Sequence, residues 1–367
     1  MFRLSRKTVD RERGAAATLV ALVLGAGVLL GMGALVVDVG RLYVEREELQ
    51  SGADAAALAL AEVCGRDRAR CAGQTAEARR YAGRNAKDGV STVTVICGRG
   101  PGLQGCPDPV PNLTGCIGNA PASHSYVEVR TITEMPDGAT VLPPAFARLL
   151  TGHEGYEGTR VGACARAAWG SPASVEGLGI TFSYCEWQQM TGDGTQYYTG
   201  TGTPAASWQR TVRLKGSHGQ TDCGQSPPGG DAPGGIGWVD GADDDCRAVV
   251  SMGSYGGNTG NNVPNGCKNH LPVAASAAGR PVQFVPVYDT VALNGGNATY
   301  TLRGFAAFVV TGYRFSGDSQ ESWLTNSHPC TDGSDRCIYG YFTRALIATP
   351  GRVGGPDLGA SIVSLVG

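Results

Sequence analysis

The chain has 367 residues and a formal net charge of −2, which removes any bulk electrostatic argument for a nucleic-acid partner. Only 17% of residues are charged and 56 are Gly, a composition too apolar for general disorder and too Gly-rich for a helical bundle. The length admits two modest domains beside an anchor.

Residues 1–13 carry Arg3, Arg6, Lys7, Arg11 and Arg13, and the uncharged run Ala15–Val37 follows. About 20 helical residues cross a bilayer core, and a soluble core helix rarely needs such a length. A secretory signal has a shorter apolar region and a small-residue cleavage site. This run instead ends in Val36-Val37-Asp38-Val39-Gly40. The expectation is an uncleaved, single-pass transmembrane helix over 15–37. Residues 38–50 hold only Arg41 and Arg46 as bases, so the charge bias places the N-terminus in the cytoplasm and the C-terminal region outside it. Gly27 and Gly31 form a G-x-x-x-G, and Ala17, Ala21 and Gly25 continue the small-residue spacing. Such a stripe lets helices pack closely, although an Ala/Gly-rich span also produces it by chance.

Beyond the span, Leu42, Leu49, Ala53, Ala56, Leu60 and Val63 form one apolar stripe with heptad-like spacing. Arg41, Glu45, Glu48 and Glu62 lie off it. The pattern reads as a helix leaving the membrane, with bends suggested by Gly52 and by the Gly pairs of the span.

Three local patterns carry a family resemblance: Arg13-Gly14 before the span, Asp38-x-Gly40-x-x-Tyr43 at its exit, and Gln50-x-x-Ala53-Asp54-Ala55-Ala56-Ala57-Leu58-Ala59 above it. Together they resemble the N-terminal domain of the Tad family, the TadE/TadG-like proteins of Flp (tight-adherence) pilus assembly. The family's motif positions fall on Gly14, Asp38, Tyr43, Gln50, Ala53 and Asp54. The resemblance implies a non-catalytic structural or assembly role. Its implied partners are the membrane and other Flp pilus-assembly proteins, engaged through the transmembrane and juxtamembrane helix, and no cofactor is expected. Two departures narrow this. Prepilins and TadE-like pseudopilins carry Glu five residues after the processing Gly, whereas Leu19 stands at that position, so cleavage after Gly14 is not expected. The Asp-x-Ser-x-Ser metal motif of von Willebrand A domains, which many TadG-like proteins carry, is missing, so metal-dependent adhesion is not carried over.

The rest of the chain is read from local pattern. Residues 65–90 read as helix, with Cys64 and Cys71 closing a small loop where the first helix breaks. Ser91–Cys97 and Ser125–Glu134 alternate apolar and polar residues and read as an antiparallel pair. Pro143–Leu150 reads as a short helix and Val161–Ala168 as a third strand, giving a pilin-like helix-plus-sheet plan. From Ser171 the chain becomes Gly-rich, with strand-like runs at Gly179–Tyr184, Arg210–Leu214, Val282–Val287, Ala298–Leu302 and Phe305–Phe315. The expected fold class is therefore α+β. Its units are a basic tail (1–14), a transmembrane helix (15–37), a helix-plus-small-antiparallel-sheet module (38–170) and a disulfide-rich, Gly-rich all-β domain (171–367).

All 12 cysteines follow the span, and no C-x-x-C or H-E-x-x-H occurs, so zinc lacks its spacing and an oxidising compartment fits better. Spacing suggests Cys185–Cys223, Cys246–Cys267 and Cys330–Cys337, with Cys97–Cys164 and Cys106–Cys116 upstream, but sequence does not fix connectivity. No nucleophile elbow or phosphate-binding loop occurs. Asp240, Asp243, Asp244 and Asp245 form the densest acidic cluster without calcium-loop spacing. Trp187, Trp208, Trp238 and Trp323, with Tyr197 and Tyr198, are either core or a sugar-binding face. Two alternatives to an assembly protein stay open: a glycan- or peptidoglycan-binding module on this anchor, and an extracytoplasmic enzyme. A cleft gathering the acids with His328 would favour the enzyme, and an exposed aromatic row the glycan binder.

Overall fold

The computed structural model describes residues 9–25, 28–67, 70–71, 73–146, 157–213, 235–258, 263–268, 270–271, 273, 281–294, 297–331 and 336–366. The described residues of the apolar run are helical, in α1 (Val9–Gly25) and α2 (Val28–Arg66). Among the described residues no helix is long and apolar enough to cross a membrane. Residues 26–27 lie outside the described residues. Helix α2 runs unbroken through Gly52. A Cβ at Gly52 would meet the Ala82 carbonyl oxygen at 3.0 Å, because α3 (Thr75–Asn85) crosses α2 there. Gly52 is thus a position of close backbone approach between α2 and α3. Between the two helices, Cys64 bonds to Cys71.

The first sheet begins with β1 (Thr92–Arg99), β2 (Ser125–Ile132) and β3 (Gly162–Gly170), all antiparallel. The apolar stripe of α2 lies across it. Ala53, Ala56, Ala57, Leu60, Ala61 and Cys64 are buried with Ala78 and Ala82 of α3 and with Val93, Val127, Val129, Ala165, Ala167 and Trp169 of the sheet. The small side chains of the stripe let the helix sit close to the pleat, which fixes its rotation. Of the expected helix over 143–150, residues 147–150 lie outside the described residues.

The second half contributes β4 (Pro172–Leu178), β5 (Ile180–Ser183), α4 (Tyr184–Thr191), β6 (Arg210–Arg213), β7 (Ile236–Val239), β8 (Arg247–Ser251) and β9 (Gly253–Asn258). It continues with β10 (Gln283–Asn294), β11 (Asn297–Phe315), β12 (Asp318–Gln320), β13 (Cys337–Thr343), β14 (Ala345–Ala348), β15 (Gly351–Val353) and β16 (Ala360–Leu365). Strand β11 fuses the two expected runs 298–302 and 305–315 across Gly304. It pairs with β10 along one edge and with β9 and then β13 along the other. Since β10 also pairs with β5, β5 with β7 and β7 with β9, five strands close into a ring. Closure removes edges that would otherwise template aggregation. Strands β15, β4 and β8 form a small third sheet.

The Gly content of this half has a packing cause. A Cβ on Gly237 would collide with the Tyr300 ring, one on Gly312 with the Tyr339 ring, and one on Gly340 with the Phe308 ring. Large rings lie flat across strands whose own side chains have been deleted to receive them.

The expected boundary at residue 170 is crossed by the C-terminal strands. The order of the first sheet is β1-β2-β3-β16-β14, so the last strands complete the sheet that the N-terminal module starts. Val363 joins the cluster under α2, while Ala360 and Ile362 join a cluster with Val175, Phe284, Tyr300 and Phe305. Strand β16 therefore buries one face in each half.

Candidate functional site

The motif positions divide into two groups along α2. In the upper group, Gln50 Nε2 donates to Asp54 Oδ1 at 2.8 Å and to the Cys164 carbonyl at 3.0 Å, tying the helix to β3. Ala53 is fully buried, and Thr131 Oγ1 donates to the Leu49 carbonyl at 3.0 Å. These positions dock the helix on its own sheet. The apolar stripe from Leu49 to Cys64 is consequently packed within the chain, while Glu47 and Ser51 on the other face of the helix stay exposed.

In the lower group, Asp38 Oδ1 accepts from the amides of Ala145 (2.7 Å) and Phe146 (3.2 Å), pinning that turn to the start of the helix. Arg41 Nη1 donates to the Pro143 carbonyl at 3.4 Å. Tyr43 is 68% exposed, and Thr18 Oγ1 donates to the carbonyl of Gly14, which is exposed. Leu19, Val20, Leu22, Met32, Leu35, Val36, Val37, Val39 and Val44 are also exposed, a concentration of large apolar side chains found nowhere else among the described residues. Two open clefts flank the exit of the helix. One, of about 330 Å³, lies between Val39, Leu42, Tyr43 and Arg46 and the segments holding Leu113 and Val161. The other, of about 660 Å³, is lined by Val37, Arg41, Val44, Glu45, Glu48, Lys87, Asp88, Met135 and Leu142. Burial pushes the Glu45 carboxyl above its usual range, a hydrogen bond with Thr133 opposes this, and the charges of Glu48 and Asp88 add to the rise.

A second site was not expected from the sequence. The alternation in β2 marks Glu128 and Arg130 as a polar face, yet Glu128 is 1% and Arg130 4% exposed. Glu128 Oε1 accepts from Arg130 Nε at 2.7 Å and Oε2 from Arg166 Nε at 2.6 Å. The two guanidiniums then donate outward to backbone carbonyls, Arg130 to Pro107 and Asp108 and Arg166 to Gly118. The loop so held is stapled at both ends, by Cys97–Cys106 and Cys116–Cys164. These pairs replace the expected Cys97–Cys164 and Cys106–Cys116. The register sets Cys97 opposite Glu128 and Cys164 opposite Arg130, so each strand cysteine reaches into the loop rather than to the other. Sulfurs of both disulfides lie within 4.8 Å of a Glu128 carboxylate oxygen, but in disulfide form they are no thiolate ligands, and the guanidiniums already occupy the carboxylate. The one signal available in the sequence was opposite charges two residues apart in a strand preceded by a cysteine-bearing loop.

The remaining candidates scatter. Cys246 pairs with Cys267 and Cys330 with Cys337, as the spacing suggested; Cys185 is disulfide-bonded, and its expected partner Cys223 lies outside the described residues. Asp240, Asp243, Asp244 and Asp245 are exposed, and Asp243 Oδ1 accepts from the amides of Asp245 (3.0 Å) and Arg247 (2.8 Å), shaping a turn. His328 sits elsewhere, with Nδ1 2.5 Å from the Tyr339 hydroxyl. Trp187, Trp238 and Tyr197 are core residues, leaving Tyr198, Trp208 and Trp323 partly exposed around Tyr341. The six aromatics therefore do not form one face.

Residues 14–62 match the Tad family, described as "Putative Flp pilus-assembly TadE/G-like". No curated protein and no solved structure matches the chain. The matched segment begins at the exposed apolar helix and ends inside the packed upper half of α2. It therefore covers both the open and the docked groups of motif residues, and it ties the chain to a role related to Flp pilus assembly.

Proposed function

We propose that this chain is a non-catalytic, single-pass membrane component of Flp-type pilus assembly, anchored through Ala15–Val37, with its N-terminus in the cytoplasm and the folded module outside. The Tad-like segment supports the pathway. The observation that carries the anchored reading is the course of α2. One helix leads from a densely exposed apolar stretch directly into the core of a disulfide-stapled module. Apolar side chains at such exposure need a non-aqueous environment, and the basic residues 1–13 set the direction. The non-catalytic part is supported by Asp243, whose carboxylate serves turn amides, and by His328, whose ring lies against the Tyr339 hydroxyl.

Deleting the chain in its own host tests the pathway. Surface Flp pili should be lost while pilin is still made, and Flp-platform proteins should copurify with the full-length chain from cross-linked membranes. Normal piliation without the chain would refute the reading. Asp243→Ala should preserve piliation, whereas its loss with the fold intact would reopen an enzymatic role.

A further inference from the structure

The anchor reading leaves open whether the module stands clear of the bilayer or touches it, and the lower half of α2 decides this geometrically. The helix is continuous from Val28 to Arg66, so nothing between Val37 and the module acts as a flexible stalk. Leu42 already packs beside Leu49, Val161 and Ala163. From Val37 to Tyr43 the axis rises only about 9 Å at 1.5 Å per residue, while the headgroup layer on each side of a bilayer is roughly 5–8 Å thick. Asp38 is the first residue past the apolar run, and its carboxylate holds the amides of Ala145 and Phe146. The turn ending in Phe146 is thereby fixed at the level of the hydrocarbon boundary. Large apolar side chains at this level are exposed, Phe146 44%, Val39 39%, Tyr43 68% and Val44 52%, with Arg41 exposed among them.

Resting on the anchor reading, we infer that the base of the module is a lipid-contacting surface: α2 residues 39–44 and the turn at Phe146 sit in the headgroup layer of the membrane that holds the anchor. Aromatic side chains such as Phe146 and Tyr43 favour that layer, where an apolar body meets polar surroundings. The larger of the two clefts beside the helix carries the matching chemistry. Val37, Val44, Met135 and Leu142 offer apolar wall, and Arg41 and Lys87 with Glu45 and Glu48 offer groups of both signs to a zwitterionic headgroup. Asp38 acts here as a positioning residue, setting the height of the turn.

The test uses the full-length chain in phosphatidylcholine vesicles containing lipid brominated either high or low on the acyl chain, a short-range quencher of tryptophan emission. Emission added over the parent by Tyr43→Trp and by Phe146→Trp should be quenched most by the high-brominated lipid, whereas emission added by Leu22→Trp should be quenched more by the low-brominated one. Quenching at Leu22→Trp alone would overturn the inference while leaving the anchor intact. Quenching at none of the three would overturn the anchor and this inference together. Adding Asp38→Ala should release quenching at Phe146→Trp but not at Tyr43→Trp, and equal loss at both would refute the positioning role.

Discussion

Replacing Glu128 by Ala removes the one carboxylate shared by two buried guanidiniums. The side chains of Arg130 and Arg166 are only 5% and 12% exposed, and each loses its closest anion, at 2.6 Å in both cases. The guanidiniums would keep their bonds to the carbonyls of Pro107, Asp108 and Gly118, which carry no compensating charge. Breaking a buried pair by deleting one partner costs about 3–5 kcal/mol, because a desolvated charge is left behind. At about 2–4 °C per kcal/mol for a chain of this class, the melting temperature should fall by roughly 6–20 °C. Thermal and guanidinium unfolding under non-reducing conditions, followed by circular dichroism, would measure it. The concerted replacement Glu128→Leu, Arg130→Met and Arg166→Leu removes all three charges and should recover at least half of the loss, as apolar isosteres of buried ion pairs do. A cost below about 1 kcal/mol for the single change would refute the reasoning, as would a triple variant no more stable than the single.

Gly52→Leu should destabilise by about 1–3 kcal/mol by forcing α3 off α2, with Gly52→Ala milder, read from denaturant midpoints; unchanged midpoints would refute the close approach of α3. Opening the Cys116–Cys164 bridge by paired Ser substitutions should cost about 4 kcal/mol in the chain-entropy model for its separation of 48 residues. Non-reducing peptide mapping should recover Cys97 with Cys106 and Cys116 with Cys164, and the crossed pairs would contradict the β2–β3 register. Burial holds the Tyr197 and Tyr339 hydroxyls up to about 12. Between the ordinary tyrosine value of about 10 and that point, the unfolded chain binds fewer protons than the folded one, so stability should fall as pH rises through this window. Tyrosinate absorbance that appeared at the ordinary value with the fold intact would show these hydroxyls to be hydrated.

Much of the N-terminal part was legible in the sequence because its forces are local and periodic. Leu49, Ala53, Ala56 and Leu60 recur at helical spacing, so their common face follows from 3.6 residues per turn, and they are buried together. The Gln50 to Ala59 run carried the family match for the same reason: it is one contiguous helix. What that stripe packs against was not legible. Periodicity marks a face without naming its cover, and the cover proved to be the chain's own sheet rather than a partner. Strand β2 repeats the lesson. Alternation revealed two faces, but Glu128 and Arg130 are buried by a loop whose placement depends on the Cys97–Cys106 and Cys116–Cys164 bridges. Those bridges follow from register between strands, a non-local quantity. Nor could composition place Ala360–Leu365 in the first sheet or explain Gly237, Gly312 and Gly340, whose missing side chains make room for rings from distant strands. The sequence by itself determined which helical and strand faces are apolar, since that depends on neighbours within a few residues. Tertiary structure alone decided what each face meets, because those contacts join residues distant in the chain, 114 positions apart in the hydrogen bond from Gln50 to Cys164.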